Sequence, residues 1–330
     1  MSKRSTDILF DVVGIGNAIV DVLAFTDEAF LTRHRLNKNT MTLVDEARAE
    51  AVYRKMGQTT ECSGGSVANT LAGMASLGAR TAFIGKVKND QLGSIFIHDL
   101  HAVGVHFSTM PLESGPSTAN CLVCVTPDAH RTMATFIGAC SQVAEEDIDE
   151  EIIAHASVVY IEGYLWDTEN AKAAIRKAIT LAKETGRKIA FTLSDVFCVD
   201  RHRAEFLELI KNDIDILFAN EAELKSLYQT DDVEQGLSQL KGACPVAAVT
   251  RSERGSVVLS ANGVETVPTE PVARIVDTTG AGDLYASGFL FGFTRGRDLS
   301  ACAALGNRCA GEIIQQLGAR SMRPLKNLVA

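Results

Sequence analysis

The sequence predicts an α/β fold, with a mostly parallel sheet covered by helices. Three observations carry that expectation. Short β-type runs alternate with helical patterns along the chain. Several of those runs are apolar without alternation, as strands buried on both faces are. The 330 residues, 46% hydrophobic and 22% charged, suffice for one large domain with a substantial core and a small appendage.

The expected strands are 8–15, 82–84, 158–161, 188–193, 214–219, 246–250 and 256–259. Between them, apolar residues recur at helical spacing over 66–77, 91–103, 168–184, 221–227, 283–294 and 299–317. Two segments break this rhythm, 17–45 and 107–138, with β-like pieces at 119–125 and 131–137. They are expected to form a small sheet projecting from a large domain made of 1–16, 46–106 and 139–330. The chain carries no internal repeat, low-complexity tract or obvious linker.

A formal net charge of −9 argues against a general nucleic-acid binder. It leaves anionic small ligands open, because a pocket can focus positive potential against the global sign. The eight cysteines are scattered among apolar and small residues, the usage of free thiols in a reducing compartment. Cys121 and Cys124 form a C-x-x-C, but on a strand they would face opposite sides, and no His/Cys pair completes a zinc site. No signal peptide or bilayer-spanning run is expected, so a cytoplasmic location and no membrane partner follow as expectations.

The most informative stretch is Val276-Asp277-Thr278-Thr279-Gly280-Ala281-Gly282-Asp283, followed by an apolar helix. A β-prone piece, 273–276, leads into it. Gly280, Ala281 and Gly282 bring almost no side-chain bulk, so their N–H groups stay open to an anion. The positive end of the following helix points at the same place. Asp283, in the first turn, could take a proton from an attacking hydroxyl. On these residues alone, a helix start with favourable dipole placement competes evenly with that reading.

The stretch from Asp277 to Leu290 resembles the C-terminal signature of the ribokinase/PfkB family of carbohydrate and nucleoside kinases. Gly64-Gly65-Ser66-Val67-Ala68-Asn69-Thr70, with Gly78 and Gly85 after it, resembles the family's N-terminal signature. The resemblance covers essentially the whole chain. It implies a ribokinase-like, Rossmann-type three-layer core with a small β lid, and transfer of the γ-phosphate of ATP, with Mg²⁺, to an alcohol. It leaves a monovalent cation such as K⁺ open. Asp283 matches the family's catalytic base, and Gly280–Gly282 its anion hole.

Further matches follow residue by residue. Asn17, Ile19 and Asp21 lie in the exit from the first strand, where the Asp grips ribose-type hydroxyls; Gly64, Gly65 and Asn69 match the sugar-binding part. Asn220 and Glu223 match an Asn-x-x-Glu element that addresses Mg²⁺ through water, although the same spacing also suits a capping box. Thr250, Gly255, Thr279 and Asn307 match nucleotide-side positions. Arg131 resembles a lid arginine that reaches the phosphates.

Local matches at 16–21, 277–283 and 306–320 look closer to the adenosine kinase branch. A purine needs flat apolar walls, and Ile19, Phe136, Tyr164 and Phe197 are the candidates. A simple sugar or another purine nucleoside stays open as acceptor, as does a metabolite sensor on the same fold. A monomer and a homodimer paired through the lid also both stay open.

Overall fold

The computed structural model describes residues 7–128 and 130–329. Fourteen strands form two sheets. In chain order they are β1 (Phe10–Ile15), β2 (Ile19–Phe25), β3 (Met41–Leu43), β4 (Thr60–Ser63), β5 (Thr81–Ile84), β6 (Val105–Phe107), β7 (Ala119–Val125), β8 (Arg131–Phe136), β9 (Ala156–Glu162), β10 (Lys188–Thr192), β11 (Ile216–Asn220), β12 (Val246–Thr250), β13 (Ser256–Ser260) and β14 (Gly263–Val267).

The large sheet runs β14-β13-β12-β11-β10-β9-β1-β5-β6. From β6 to β12 every pairing is parallel; β13 and β14 return antiparallel at one edge. Alternate residues of β1 show why its sequence is apolar throughout. Val12 joins a core layer with Leu71, Tyr160, Leu284 and Phe289 on one face. Val13 and Ile15 join Ile161, Ile175 and Phe206 on the other. Helices Ser66–Leu77, Ala281–Thr294 and Leu299–Ile313 feed the first layer, and Glu169–Glu184 and Val196–Asn212 the second. That is the three-layer α/β core expected from the strand–helix alternation.

The second sheet is small and runs β3-β8-β7-β2-β4. It extends past the expected lid boundaries, because β4 pairs antiparallel with β2. Thr60-Glu61-Cys62-Ser63 has neither apolar alternation nor β-branched density, so nothing local marks it as a strand. The β-prone piece 273–276 does not form a strand. The N–H groups of Val276 and Asp277 instead donate to the Ile314 carbonyl, tying that segment to the end of the last long helix. That helix stops at Ile313, short of the expected 317. Helix Val196–Asn212, absent from the expectation, contains a non-helical residue, His202, where its period breaks.

Cys121 and Cys124 do face opposite sides of β7, in separate apolar clusters, and all eight cysteines are free thiols. Among the described residues no helix is long and apolar enough to cross a membrane.

Candidate active site

In an open parallel sheet, ligand sites form outside the carboxyl ends of the strands. Here those ends bring Asn17, Glu162, Asn220 and Thr250 to one edge, and the Ser66 and Ala281 helices start above it. The turn into the Ser66 helix is built by two glycines. Gly65 is the N-cap with φ 90°, and a Cβ there would run into the Asn17 carbonyl. A Cβ on Gly64 would lie 2.5 Å from the Asp21 carboxylate. The paired glycines therefore let the turn press against β1's exit and against Asp21.

The same turn is held from below by Glu162, which is fully buried. Its two carboxylate oxygens accept the N–H groups of Asn17 (2.9 Å) and Val67 (3.0 Å). Burial pushes its carboxyl up to about 7, partly offset by those hydrogen bonds. Burial likewise pushes Asp21 up to about 6, against the lowering pull of Arg320 and Arg131.

The two signature stretches meet at Asp283. Ser66 Oγ donates to one of its oxygens at 2.7 Å and Asn69 Nδ2 to the other at 2.9 Å. Its backbone carbonyl accepts Thr70 Oγ1 (3.1 Å) and Ser287 Oγ (2.9 Å). Burial raises the Asp283 carboxyl above the usual range, while Ser66, Asn69 and Arg320 act to lower it. Asn69 is buried, and its Oδ1 has no hydrogen-bond partner. A carboxylate oxygen has lone pairs beyond the one used here, so Asp283 can still accept a proton from a hydroxyl.

The helix carrying Asp283 starts at Ala281, with Gly280 as N-cap in the left-handed region, packed against Ala319. Ala281 N–H donates to the Thr278 carbonyl (3.2 Å) and Leu284 N–H to Gly280 (2.8 Å). The N–H groups of Gly282 and Asp283 precede the first intrahelical bond and are the natural anion donors. Gly282 is exposed, and a Cβ on it would meet nothing within 4 Å. From the small sheet Arg131 reaches this loop, with Nη1 on Thr279 Oγ1 (2.8 Å) and Nη2 on Asp277 (2.5 Å). Asp277 also accepts Thr279 N–H and Oγ1 and Gly318 N–H. Arg131 thus neutralises Asp277 in this loop.

On the other side, Asn220 and Glu223 form a capping box. Asn220 Oδ1 accepts Glu223 N–H, Glu223 accepts Asn220 N–H, and Asn220 Nδ2 donates to the other Glu223 oxygen at 2.6 Å. Glu223 is buried, and burial, with Asp195 and Asp283 nearby, pushes its carboxyl up to about 7. It lacks a counter-cation, and no cluster of three His, Cys, Asp or Glu that could hold a metal directly occurs among the described residues. A buried carboxylate with no ion-pair partner among the described residues is a donor that a hydrated cation could address through water. Thr250 pairs with Asn220 across the sheet. Gly255 abuts Val267 and Pro268, and Asn307 Nδ2 donates to both of those carbonyls (3.0 and 3.2 Å). Gly255 and Asn307 thus meet at the Val267 and Pro268 carbonyls, to which the amide donors of Asn307 are committed.

The sequence matches the pfkB family carbohydrate kinase profile over residues 36–326. The chain belongs to this family. It is a phosphotransferase with an alcohol group as acceptor. Its structure is similar to that of adenosine kinase from Sinorhizobium meliloti, at 50% identity and a TM-score of 0.90, covering 96% of this chain and 98% of that one. A probable sugar kinase from Rhizobium etli CFN 42 is similar to the same degree, at 48% identity and a TM-score of 0.91, covering 96% and 97%. Adenosine kinase from Saccharomyces cerevisiae is 27% identical, covering 93% of this chain and 95% of that protein.

The four apolar wall candidates of this pfkB family kinase come from different layers of the fold. Ile19 and Phe136, on the small sheet, pack on the core layer that includes the Ser66 helix. Tyr164 packs on the opposite layer and is tied by hydrogen bonds to Ser194. Phe197 stands 71% exposed in the first turn of its helix. Among the described residues none of the four rings or side chains shares an aromatic contact with another.

Two residues at the site escaped the sequence reading. Glu162 gave one signal, a carboxylate ending an apolar strand. Arg320 entered only as the last residue of the 306–320 match, with no role given to it.

Proposed function

We propose that this kinase transfers the γ-phosphate of ATP to the 5′-hydroxyl of a nucleoside, most directly adenosine, with Asp283 as general base. One observation carries the reading. The Asp283 carboxylate is held by Ser66 and Asn69 in the first turn of a helix whose N-terminus is open at Gly282. A hydroxyl hydrogen-bonded to Asp283 would therefore lie beside an anion site, the juxtaposition that phosphoryl transfer requires.

Asp21, the Gly64–Gly65 backbone and Asn69, with its unpartnered Oδ1, hold the ribose hydroxyls. Asp283 takes the 5′-hydroxyl proton. The Gly280–Gly282 backbone, Thr279 and Arg131 receive the phosphate charge. Arg131 bridges the small sheet and the anion loop, so closing the sheet over the acceptor would exclude competing water. Asn220 and Glu223 would hold Mg²⁺ through water, and bound Mg²⁺ supplies charge neutralisation to the transferred group. Thr250, Gly255 and Asn307 shape the nucleotide side.

Adenosine is supported by the likeness to the adenosine kinases of Sinorhizobium meliloti and Saccharomyces cerevisiae. A free-sugar acceptor is the second reading. The equal likeness to the probable sugar kinase favours it. ADP release with ATP and Mg²⁺ across adenosine, inosine, guanosine, ribose and fructose decides between them. Activity confined to adenosine supports the first reading; activity on ribose or fructose without adenosine replaces it with the second.

A further inference from the structure

Three consecutive residues after the last long helix each touch a different part of the site. Gly318 N–H donates to Asp277 at 2.7 Å. The Ala319 methyl packs against Gly280 at the start of the catalytic helix. Arg320 then reaches the acceptor side. Its Nε donates to the Ser63 carbonyl (3.0 Å) and its Nη1 to the Ala68 carbonyl (2.7 Å).

Those two carbonyls belong to chosen positions. Ser63 directly precedes the Gly64–Gly65 turn, and Ala68 directly precedes Asn69. The Ser63 peptide is pinned from its other side as well, because its N–H donates to Asp99 at 2.8 Å. One guanidinium therefore fastens both ends of the segment that carries the acceptor-side residues. The third arm, Nη2, is buried with no hydrogen-bond partner. The charge faces Asp21 of β2, Cys62 of β4, Asp99 of helix Gln91–Ala102 and Asp283 of the Ala281 helix.

We propose that Arg320 is a positioning residue for the transfer reaction: from the C-terminal segment it sets the Gly64–Asn69 turn against the catalytic helix and supplies the cation that faces Asp21 and Asp283. Burial pushes the guanidinium down to about 10, so it stays charged at neutral pH. A planar fork suits the task, since two carbonyls from different peptides need two donors at a fixed spread. The inference rests on Asp283 and the Gly64–Asn69 turn serving the reaction, not on which alcohol is the acceptor.

The test uses the full chain and whichever acceptor of the panel the wild type phosphorylates. Failure of the adenosine reading then appears in the wild type, and failure of this inference appears only in the variants. Arg320→Met is expected to raise the acceptor KM and lower kcat, each by at least about tenfold, with the ATP KM within about threefold of wild type. Arg320→Lys keeps the charge but not the fork, so kcat should recover to within about threefold while the acceptor KM stays raised. Acceptor KM and kcat within about twofold of wild type in Arg320→Met would overturn the proposal. So would an ATP KM that rises in step with the acceptor KM, the mark of a generally loosened fold. A lysine variant with the methionine variant's kcat would overturn the role given to charge. Should Arg320→Met fail to fold, the acceptor KM of Arg320→Lys decides alone: raised supports the proposal, and unchanged overturns it.

Discussion

Asp283→Asn isolates proton abstraction from everything else the carboxylate does. In the folded chain the side chain accepts Ser66 Oγ–H and Asn69 Nδ2–H. The replacement amide keeps its oxygen for Asn69 and turns its NH₂ toward Ser66. A serine hydroxyl can rotate from donor to acceptor, so both hydrogen bonds survive with one reversed. Removing a negative charge close to Asp21 and Glu162 relieves repulsion as well, since Asp283 pushes both of their carboxyls up. The fold should therefore hold, with an unchanged circular dichroism spectrum and a melting temperature no lower than wild type. What is lost is the base. General-base catalysis contributes on the order of 10²–10⁴, or about 3–5 kcal/mol of the barrier. The expected result in a coupled ADP-release assay is a kcat lower by at least about 10²-fold with the ATP KM little changed. A folded variant with kcat within about tenfold of wild type would refute the assignment of Asp283 as base.

Three further perturbations probe the surroundings. Ser66→Ala removes a hydrogen bond that lowers the Asp283 carboxyl, so the acid limb of kcat/KM should move to higher pH; a limb that stays put removes Ser66 from the role of tuning the base. Gly65→Ala asks a residue with a Cβ to adopt φ 90° against the Asn17 carbonyl. It should raise the acceptor KM by at least about tenfold, and an acceptor KM equal to wild type would show that the turn does not set the acceptor site. Glu162→Gln tests linkage. The folded carboxyl is raised from 4.5 to about 7, so its stabilisation is full below the unfolded value and is lost as pH rises through about 7. The neutral amide has no such slope, so its melting temperature relative to wild type should be higher at pH 8 than at pH 5; an equal difference at both pH values contradicts the raised carboxyl.

The elements legible in the sequence were those whose cause is local. The strands of the large sheet read as apolar runs because alternate residues such as Val12 and Val13 enter two different core layers. The Asp283 loop read as an anion site because Gly280, Ala281 and Gly282 open the chain ahead of a helix, and a helix does start there, with Gly280 as its N-cap. The capping-box alternative for Asn220 and Glu223 also formed, because three-residue spacing is all that it needs. Thr60–Ser63 was not legible, since four polar and small residues become a strand only by pairing with β2. The helix at Val196–Asn212 was hidden by the break at His202.

The site residues that escaped have a common reason. Glu162 meets Val67 across 95 positions, and Arg320 meets Ser63 across 257. Neither separation leaves a periodicity or a turn signature. Asp283 meets Ser66 across 217 positions, yet both lie in stretches that the sequence marks, because each stretch has its own local cause: a glycine-opened helix start. A buried charge at a strand end, or one in a tail after the last helix, has no such accompaniment. Its meaning is supplied by whatever the fold carries to it. For Arg320 that is the pair of carbonyls bracketing the acceptor-side turn, and this is why its role becomes visible only once the two ends of the chain are seen in contact.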